Sequence, residues 1–180
     1  MRAVSVSKAD DNQNDRARAW SGEAPDALIW PALYEGIRVK RMVAYAIDLI
    51  IIAVLLTVMW MVGIFFVAIS FGLLAPVLAL ATALFPIAYH TSLIGGPASA
   101  TVGMRVMDLR VVAWNGNRPG YAQAALQTVL FYVSVTIATF LVLTVSLFNP
   151  RGRCLHDLLA GTVTINDLHL RAVENNPELP

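Results

Sequence analysis

Three long apolar segments, nearly free of charge, constrain this chain more than any other feature of its sequence. Between positions 42 and 104 only Asp48 and His90 can carry a charge near neutral pH, and no Asp, Glu, Lys, Arg or His occurs from 119 to 150. Only 14% of the 180 residues are charged, whereas a soluble domain carries about 25%. Lipid offers the backbone no hydrogen-bond partners, so apolar segments of this length are stable there as helices. The pattern predicts an all-α membrane protein.

The predicted spans cover residues 42–67, 73–93 and 121–148, since about 20 apolar residues are enough for a helix to cross a bilayer. Together they predict a small bundle of about three transmembrane helices. A short β-like element is expected outside the bundle, with one stretch in the polar loop near 106–112 and another in the tail near 161–165.

The third segment raises a question of topology. Its 28 residues are too few for two crossings, which need about 40. A bent segment that returns to its own side is the alternative, but no Gly or Pro lies between Tyr121 and Asn149 to make the bend. We therefore expect one long helix that crosses once. This would place Arg151 and Arg153 on the far side and prevent the two β-like stretches from pairing.

The polar parts of the chain set its domain organisation. Residues 1–29 are predicted to be a disordered polar tail, 30–166 the transmembrane domain and 167–180 a second polar tail. A basic collar precedes the first span, and the loop after the second span is also net positive. Both features favour a cytoplasmic amino terminus. A net charge of +1 gives no reason to expect nucleic-acid binding. The collar consists of Arg38, Lys40 and Arg41.

Asp48 is the most informative single residue. It lies seven residues beyond Arg41, which is about 10 Å along a helix. A carboxylate in apolar surroundings must face protein or water, pair with a cation or take up a proton. Arg41 and Tyr45 share its helix face and are its expected neighbours. Two interpretations stay open at this point: a proton or cation relay, and a buried ion pair that fixes helix packing.

The other candidate side chains lie at the edges of the apolar segments, and no catalytic constellation is predicted among them. His156 and Asp157 are adjacent in the chain, but a catalytic pair needs a nucleophile that the sequence does not supply. Asp157 is expected to cap or pair with Arg151 and Arg153. We expect no metal site, since Cys154 has no partners at zinc-ligand spacing, and no cofactor; the protein is predicted not to be an enzyme. The secondary candidates are Tyr45, His90, Arg105, Arg153 and His156.

Three stretches, taken in order, resemble the RDD family of bacterial membrane proteins. They are Arg41 to Asp48 (RMVAYAID), Thr101 to Val112 (TVGMRVMDLRVV) and His156 to Val163 (HDLLAGTV). The chain departs from the family's pattern where Met104 replaces a frequent lysine and Gln127 lies near a frequent arginine.

The resemblance implies that Arg41, Asp48 and Asp157 are the namesake arginine and two aspartates. It also implies a multi-pass protein of the bacterial cell membrane. Transport of a small ion or solute is the activity that the resemblance suggests, with cation/proton exchange proposed for some members. Three helices enclose little volume, so we expect a homo-oligomer or another membrane protein as partner. The alternative is a membrane scaffold or accessory subunit in which the three residues form a structural charge network.

Overall fold

The computed structural model describes residues 31–148 and 151–175, with side chains for 31–136 and 151–171. The predicted amino-terminal tail therefore lies outside the described residues, as does the last part of the carboxy-terminal tail. Six helices and two strands follow a short 3-10 turn at Pro31–Leu33. They are α1 (Ile37–Ile69), α2 (Ala75–Ile94), α3 (Val102–Val106), β1 (Leu109–Ala113), α4 (Tyr121–Phe148), α5 (Leu155–Ala160), β2 (Thr162–Asn166) and α6 (Asp167–Asn175).

The first two long helices form an antiparallel hairpin, as the short predicted turn between them requires. Gly72 lies in that turn at φ 88°, a conformation that glycine adopts without steric cost. The indole nitrogen of Trp60 donates to the hydroxyl of Thr82 at 3.0 Å and links the two helices.

Both helices of the hairpin expose apolar side chains along most of their length. Only 6% of the residues in the most apolar stretch of α1 are buried, and 11% of those in the most apolar stretch of α2. On α1 the buried residues beyond its first turn are Ala44, Asp48 and Ile52, one narrow stripe at four-residue spacing. A core helix of a soluble protein buries its apolar side chains, so helices exposed in this way suit lipid. These two are the helices within the described residues that are long and apolar enough to cross a membrane.

The two strands form an antiparallel pair, and the prediction that they could not pair is wrong. Leu109 lies opposite Asn166, and Ala113 lies opposite Thr162. The sheet packs against the amino-terminal end of α1 in one apolar cluster. Its most buried members include Leu33, Tyr34, Ile37, Ala44, Leu109, Val112, Val163 and Ile165.

The helix α4 has the bounds predicted for it, but the chain beyond it returns to the helix's own first half. Gln123 donates to the carbonyl of Ala160 at 2.9 Å, and the ring of Phe131 lies 5.1 Å from that of His156. Residues 151–166 therefore lie beside the loop that carries β1, not on the opposite side. The prediction of a single crossing was based on the absence of Gly and Pro between Tyr121 and Asn149, whereas strand pairing and these side-chain contacts hold the returning chain beside β1.

Candidate functional site

Asp48 is almost fully buried and is held by three hydrogen-bond donors. It is 2% exposed. Its carboxylate accepts from the hydroxyl of Tyr89 at 2.9 Å, from that of Thr101 at 2.5 Å and from the amide of Gly103 at 2.8 Å. An ionised carboxylate only accepts hydrogen bonds, so these three donors match its chemistry. No ion pair to Asp48 is present among the described side chains.

The helix α3 reaches Asp48 because Gly103 on α3 and Ala44 on α1 are small enough to let the two helix backbones approach each other. Thr101 caps the amino end of α3 by accepting from the amide of Met104 at 3.2 Å, which leaves its hydroxyl proton for the carboxylate. A Cβ on Gly103 would lie 2.9 Å from Asp48 Oδ2 and would also collide with the carbonyl of Ala44. Only glycine therefore fits at this position without a shift of α3.

The second carboxylate, Asp157, pairs with Arg41. The guanidinium Nη1 lies 2.5 Å from Asp157 Oδ2, and the carboxylate is fully buried. Asp157 also accepts from the amide group of Gln127 at 3.0 Å and from the backbone amide of Cys154 at 3.1 Å. Asp157 thus caps its own helix at Cys154, and the arginine that pairs with it is Arg41.

Arg41 is therefore not the partner of Asp48, and that prediction is wrong. Side chains on a helix lean toward its amino terminus, so the guanidinium leans away from a carboxylate seven residues further on. Arg41 turns instead to the segment after α4, where it also donates to the carbonyl of Gly152 at 3.4 Å. The two buried carboxylates thus occupy separate clusters: an Asp48 cluster with Tyr89, Thr101 and Gly103, and an Asp157 cluster with Arg41, Gln127 and His156.

Burial and the nearby positive charge have opposite effects on the pKa of Asp157. Burial alone would raise the pKa of Asp157, but the positive charge of Arg41 and the hydrogen bonds from Arg41 and Cys154 outweigh it and hold that pKa below its ordinary value. Burial lowers the pKa of His156, and burial together with the charge of Arg41 outweighs the opposite effect of Asp157. Arg41 Nη2 lies 3.3 Å from His156 Nε2. A guanidinium only donates, so Nε2 accepts in this contact, and Nε2 also lies 3.4 Å from Asp157 Oδ1.

Arg153 is a buried member of the Asp157 cluster. Its side chain donates to the carbonyls of Thr162 at 2.9 Å and Asp157 at 3.1 Å, and its guanidinium lies 4.3 Å from the ring centre of Trp114. Burial lowers the pKa of Arg153. Its partners are carbonyl groups and an indole face, so Arg153 ties α5 to β2 and to the end of β1.

Ligand atoms of Cys154, His156 and Asp157 lie within 4.8 Å of one another, a grouping that the sequence reasoning did not find. Cys154 and His156 are two residues apart, and the start of α5 brings them to one side. Arg41 already occupies the carboxylate of Asp157, so a metal ion here would face a fixed positive charge. The arrangement is therefore better suited to an ion pair than to a metal centre.

An aromatic cluster centred on Phe131 joins the two carboxylate clusters. Its ring centre lies 5.3 Å from that of Tyr45, 6.3 Å from that of His90 and 5.1 Å from that of His156. Tyr45 thus contacts Phe131, and no hydrogen bond joins it to Asp48 among the described contacts. His90 Nδ1 lies 3.0 Å from the carbonyl of Pro86, which makes His90 a hydrogen-bonded anchor within α2.

The remaining secondary candidate, Arg105, is exposed and donates through Nε to the carbonyl of Ala100 at 3.2 Å.

Sequence reasoning missed Tyr89, Thr101 and Gln127 as partners of the two carboxylates. For Thr101 a signal existed, because a threonine before a short helix is a typical cap. Tyr89 and Gln127 carry no local signal, since each meets its carboxylate only through the packing of α2 or α4.

These features define a class: a helical protein with two exposed apolar helices and buried charges around the first half of α1. A family model described as the RDD family matches residues 37–161, and the chain belongs to this family. The prediction made from the three motifs is confirmed. Nothing among curated proteins or solved structures matches the chain. The family and the two apolar helices together indicate a membrane protein.

Proposed function

We propose that the protein is a multi-pass protein of the bacterial cell membrane that exchanges a small cation for protons, with Asp48 as the group that binds either one. The observation that carries this proposal is a buried carboxylate with hydroxyl and amide donors and no cation among its described partners. A negative charge in surroundings of low dielectric attracts a small positive ion strongly. In the Asp157 cluster the same attraction is already satisfied by Arg41.

The chemistry of the Asp48 cluster suits both ligands. The carboxylate and the hydroxyls of Tyr89 and Thr101 are hard oxygen ligands of the kind that alkali and alkaline-earth cations prefer. A hydroxyl can also rotate, donating to the ionised carboxylate or accepting from its protonated form. The amide of Gly103 continues to hold one carboxylate oxygen in either state. Proton and cation then compete for one site, which is the basis of exchange.

The topology that goes with this proposal has α4 as a third membrane-embedded helix and the amino terminus in the cytoplasm. The basic collar in the first turns of α1 and the loop with β1 lie together, and arginine and lysine favour the cytoplasmic side. A conduit needs more helices than one chain supplies, so the transporting form is an oligomer of this chain or a complex with another membrane protein.

A second candidate function, a membrane scaffold or accessory subunit, is favoured by the Arg41–Asp157 pair. That pair joins the start of α1 to α5, and nothing in it is available to a substrate. In this case Asp48 also serves only to hold α1, α2 and α3 together. The two functions differ in what Asp48→Asn changes: ion flux in the first, and assembly or abundance in the second.

The experiment measures proton movement in proteoliposomes that contain a pH-sensitive dye, after addition of Na⁺, K⁺ or Li⁺ outside. Because each entering cation is exchanged for protons that leave, exchange predicts alkalinisation of the vesicle interior in wild type and its loss in Asp48→Asn. Tyr89→Phe removes one hydroxyl from the site and is expected to weaken cation dependence. Tyr121→Phe, at a tyrosine that is 62% exposed, is the matched control and keeps wild-type flux. Equal flux in wild type and Asp48→Asn, or none above empty vesicles, contradicts the proposal.

A further inference from the structure

A cavity lined by several charged residues lies between the α3–β1 segment and α6, apart from the Asp157 cluster. Its volume is about 280 Å³. Known ligand pockets run from about 300 to 1,000 Å³, so this one has room for a small headgroup but not for a whole nucleotide. The charged residues that line it are Arg105, Asp108, Arg110, Asp167 and Arg171.

The positive charge of this cavity is only partly neutralised within the described residues. Arg110 and Arg171 share the single carboxylate of Asp167, at 2.9 Å and 2.7 Å. Arg105 makes no ion pair in the described part of the chain, and only its Nε is used, by the carbonyl of Ala100. Three guanidinium groups thus face two carboxylates, and the terminal nitrogens of Arg105 remain available to a ligand.

Apolar side chains border the arginines. Leu168 lines the cavity and is 57% exposed, and Val106, next to Arg105, is 61% exposed. Arginine beside exposed aliphatic side chains suits the boundary between lipid and water, where the charged head stays in water and the aliphatic groups enter the headgroup region. The cavity therefore combines guanidinium donors with a border suited to the region of lipid headgroups.

From these observations we propose that the cavity binds the phosphate group of an anionic phosphate ester, with Arg105 and Arg171 as the principal donors. Guanidinium groups present paired N–H donors in a plane, which matches two oxygens of a phosphate. A lipid headgroup and a soluble phosphate ester share this chemistry. The site is separate from the transport proposal and does not depend on it.

The test uses the full chain purified in a neutral detergent. Native mass spectrometry measures binding of phosphatidylglycerol and of a galactolipid that has no phosphate. Calorimetry measures binding of glycerol 3-phosphate as the soluble probe. Arg105→Gln and Arg171→Gln are each expected to weaken binding of the phosphate-bearing probe about tenfold, the effect of one charge-assisted hydrogen bond. Arg118→Gln is the matched control, because Arg118 is exposed and does not line the cavity.

Binding of phosphatidylglycerol alone identifies a lipid as the ligand, and binding of glycerol 3-phosphate identifies a soluble ester. Either result supports the phosphate site when the two cavity variants weaken it and Arg118→Gln does not. Three results would overturn it: no binding of either phosphate probe, equal binding of the galactolipid, or equal losses in all three variants. None of these measurements depends on ion flux, so failure here is distinct from failure of the exchange proposal.

Discussion

Replacing Asp157 by asparagine tests how strongly the Asp157 cluster holds the fold together. The substitution keeps the shape of the side chain but leaves Arg41 without its counter-ion, and the Arg41 side chain is only 14% exposed. It also turns one acceptor into a donor beside Gln127, whose amide nitrogen now donates to Asp157 at 3.0 Å. Removing one partner of a buried ion pair costs about 3–5 kcal/mol. Arg41 still contacts solvent and still donates to the carbonyl of Gly152, so we expect the free energy of unfolding to fall by about 3 kcal/mol.

The assay is denaturant unfolding of the purified protein in detergent micelles, followed by circular dichroism. Asp108→Asn is the control, since Asp108 is exposed and lies at φ 54°, a conformation that asparagine tolerates; its change should stay within about 0.5 kcal/mol. The double variant Asp157→Asn with Arg41→Gln should regain part of the loss, because no unpaired charge is then buried. A loss below about 1 kcal/mol, or a double variant with fully additive losses, refutes the reasoning.

Three further predictions concern other parts of the structure. In the same unfolding assay, Gly103→Ala should destabilise the protein by about 1–3 kcal/mol because the added Cβ overpacks the contact with α1. Gly120→Ala is the control and should change stability little, since a Cβ there meets nothing within 4 Å. Equal effects of the two substitutions would contradict a close approach of α3 to α1 at Gly103. The lowered pKa of His156 means that the unfolded chain binds more protons below about pH 6.5, so stability should fall as pH drops through that value and the fall should vanish in His156→Gln. The lowered pKa of Asp157 adds a further loss below about pH 3.8, which Asp157→Asn should remove. Asn166→Ala removes hydrogen bonds to the side chain of Lys40 and to the carbonyls of Ala32 and Glu35, so amide hydrogen exchange in residues 31–40 should become faster. Unchanged exchange would show that Asn166 does not stabilise this segment.

The helices were predictable because their signals are local. Long uncharged segments and the polar residues that interrupt them predict where α1, α2 and α4 lie, and α4 has the predicted bounds. The two β-like stretches were also found, from residues with strand preference near turn signals. Burial of Asp48 followed from the cost of exposing a carboxylate to an apolar solvent.

The partners of the buried charges were not predictable, because they depend on contacts between distant parts of the chain. Thr101 is 53 residues from Asp48, and Asp157 is 116 residues from Arg41. Helix geometry alone put Arg41 on the face of Asp48 but could not say that the side chain turns to α5. The pairing of β1 with β2 was missed for the same reason, since it depends on how the chain returns after α4.

The central claim is that Asp48 binds either a proton or a small cation, and infrared difference spectroscopy of the reconstituted protein tests it most directly. Spectra recorded with and without the transported cation, in wild type and in Asp48→Asn, report the protonation of individual carboxyl groups. Adding the cation should remove a protonated-carboxyl band in wild type and should cause no such change in Asp48→Asn. A wild-type spectrum without any carboxyl change, or the same change in both proteins, would contradict it.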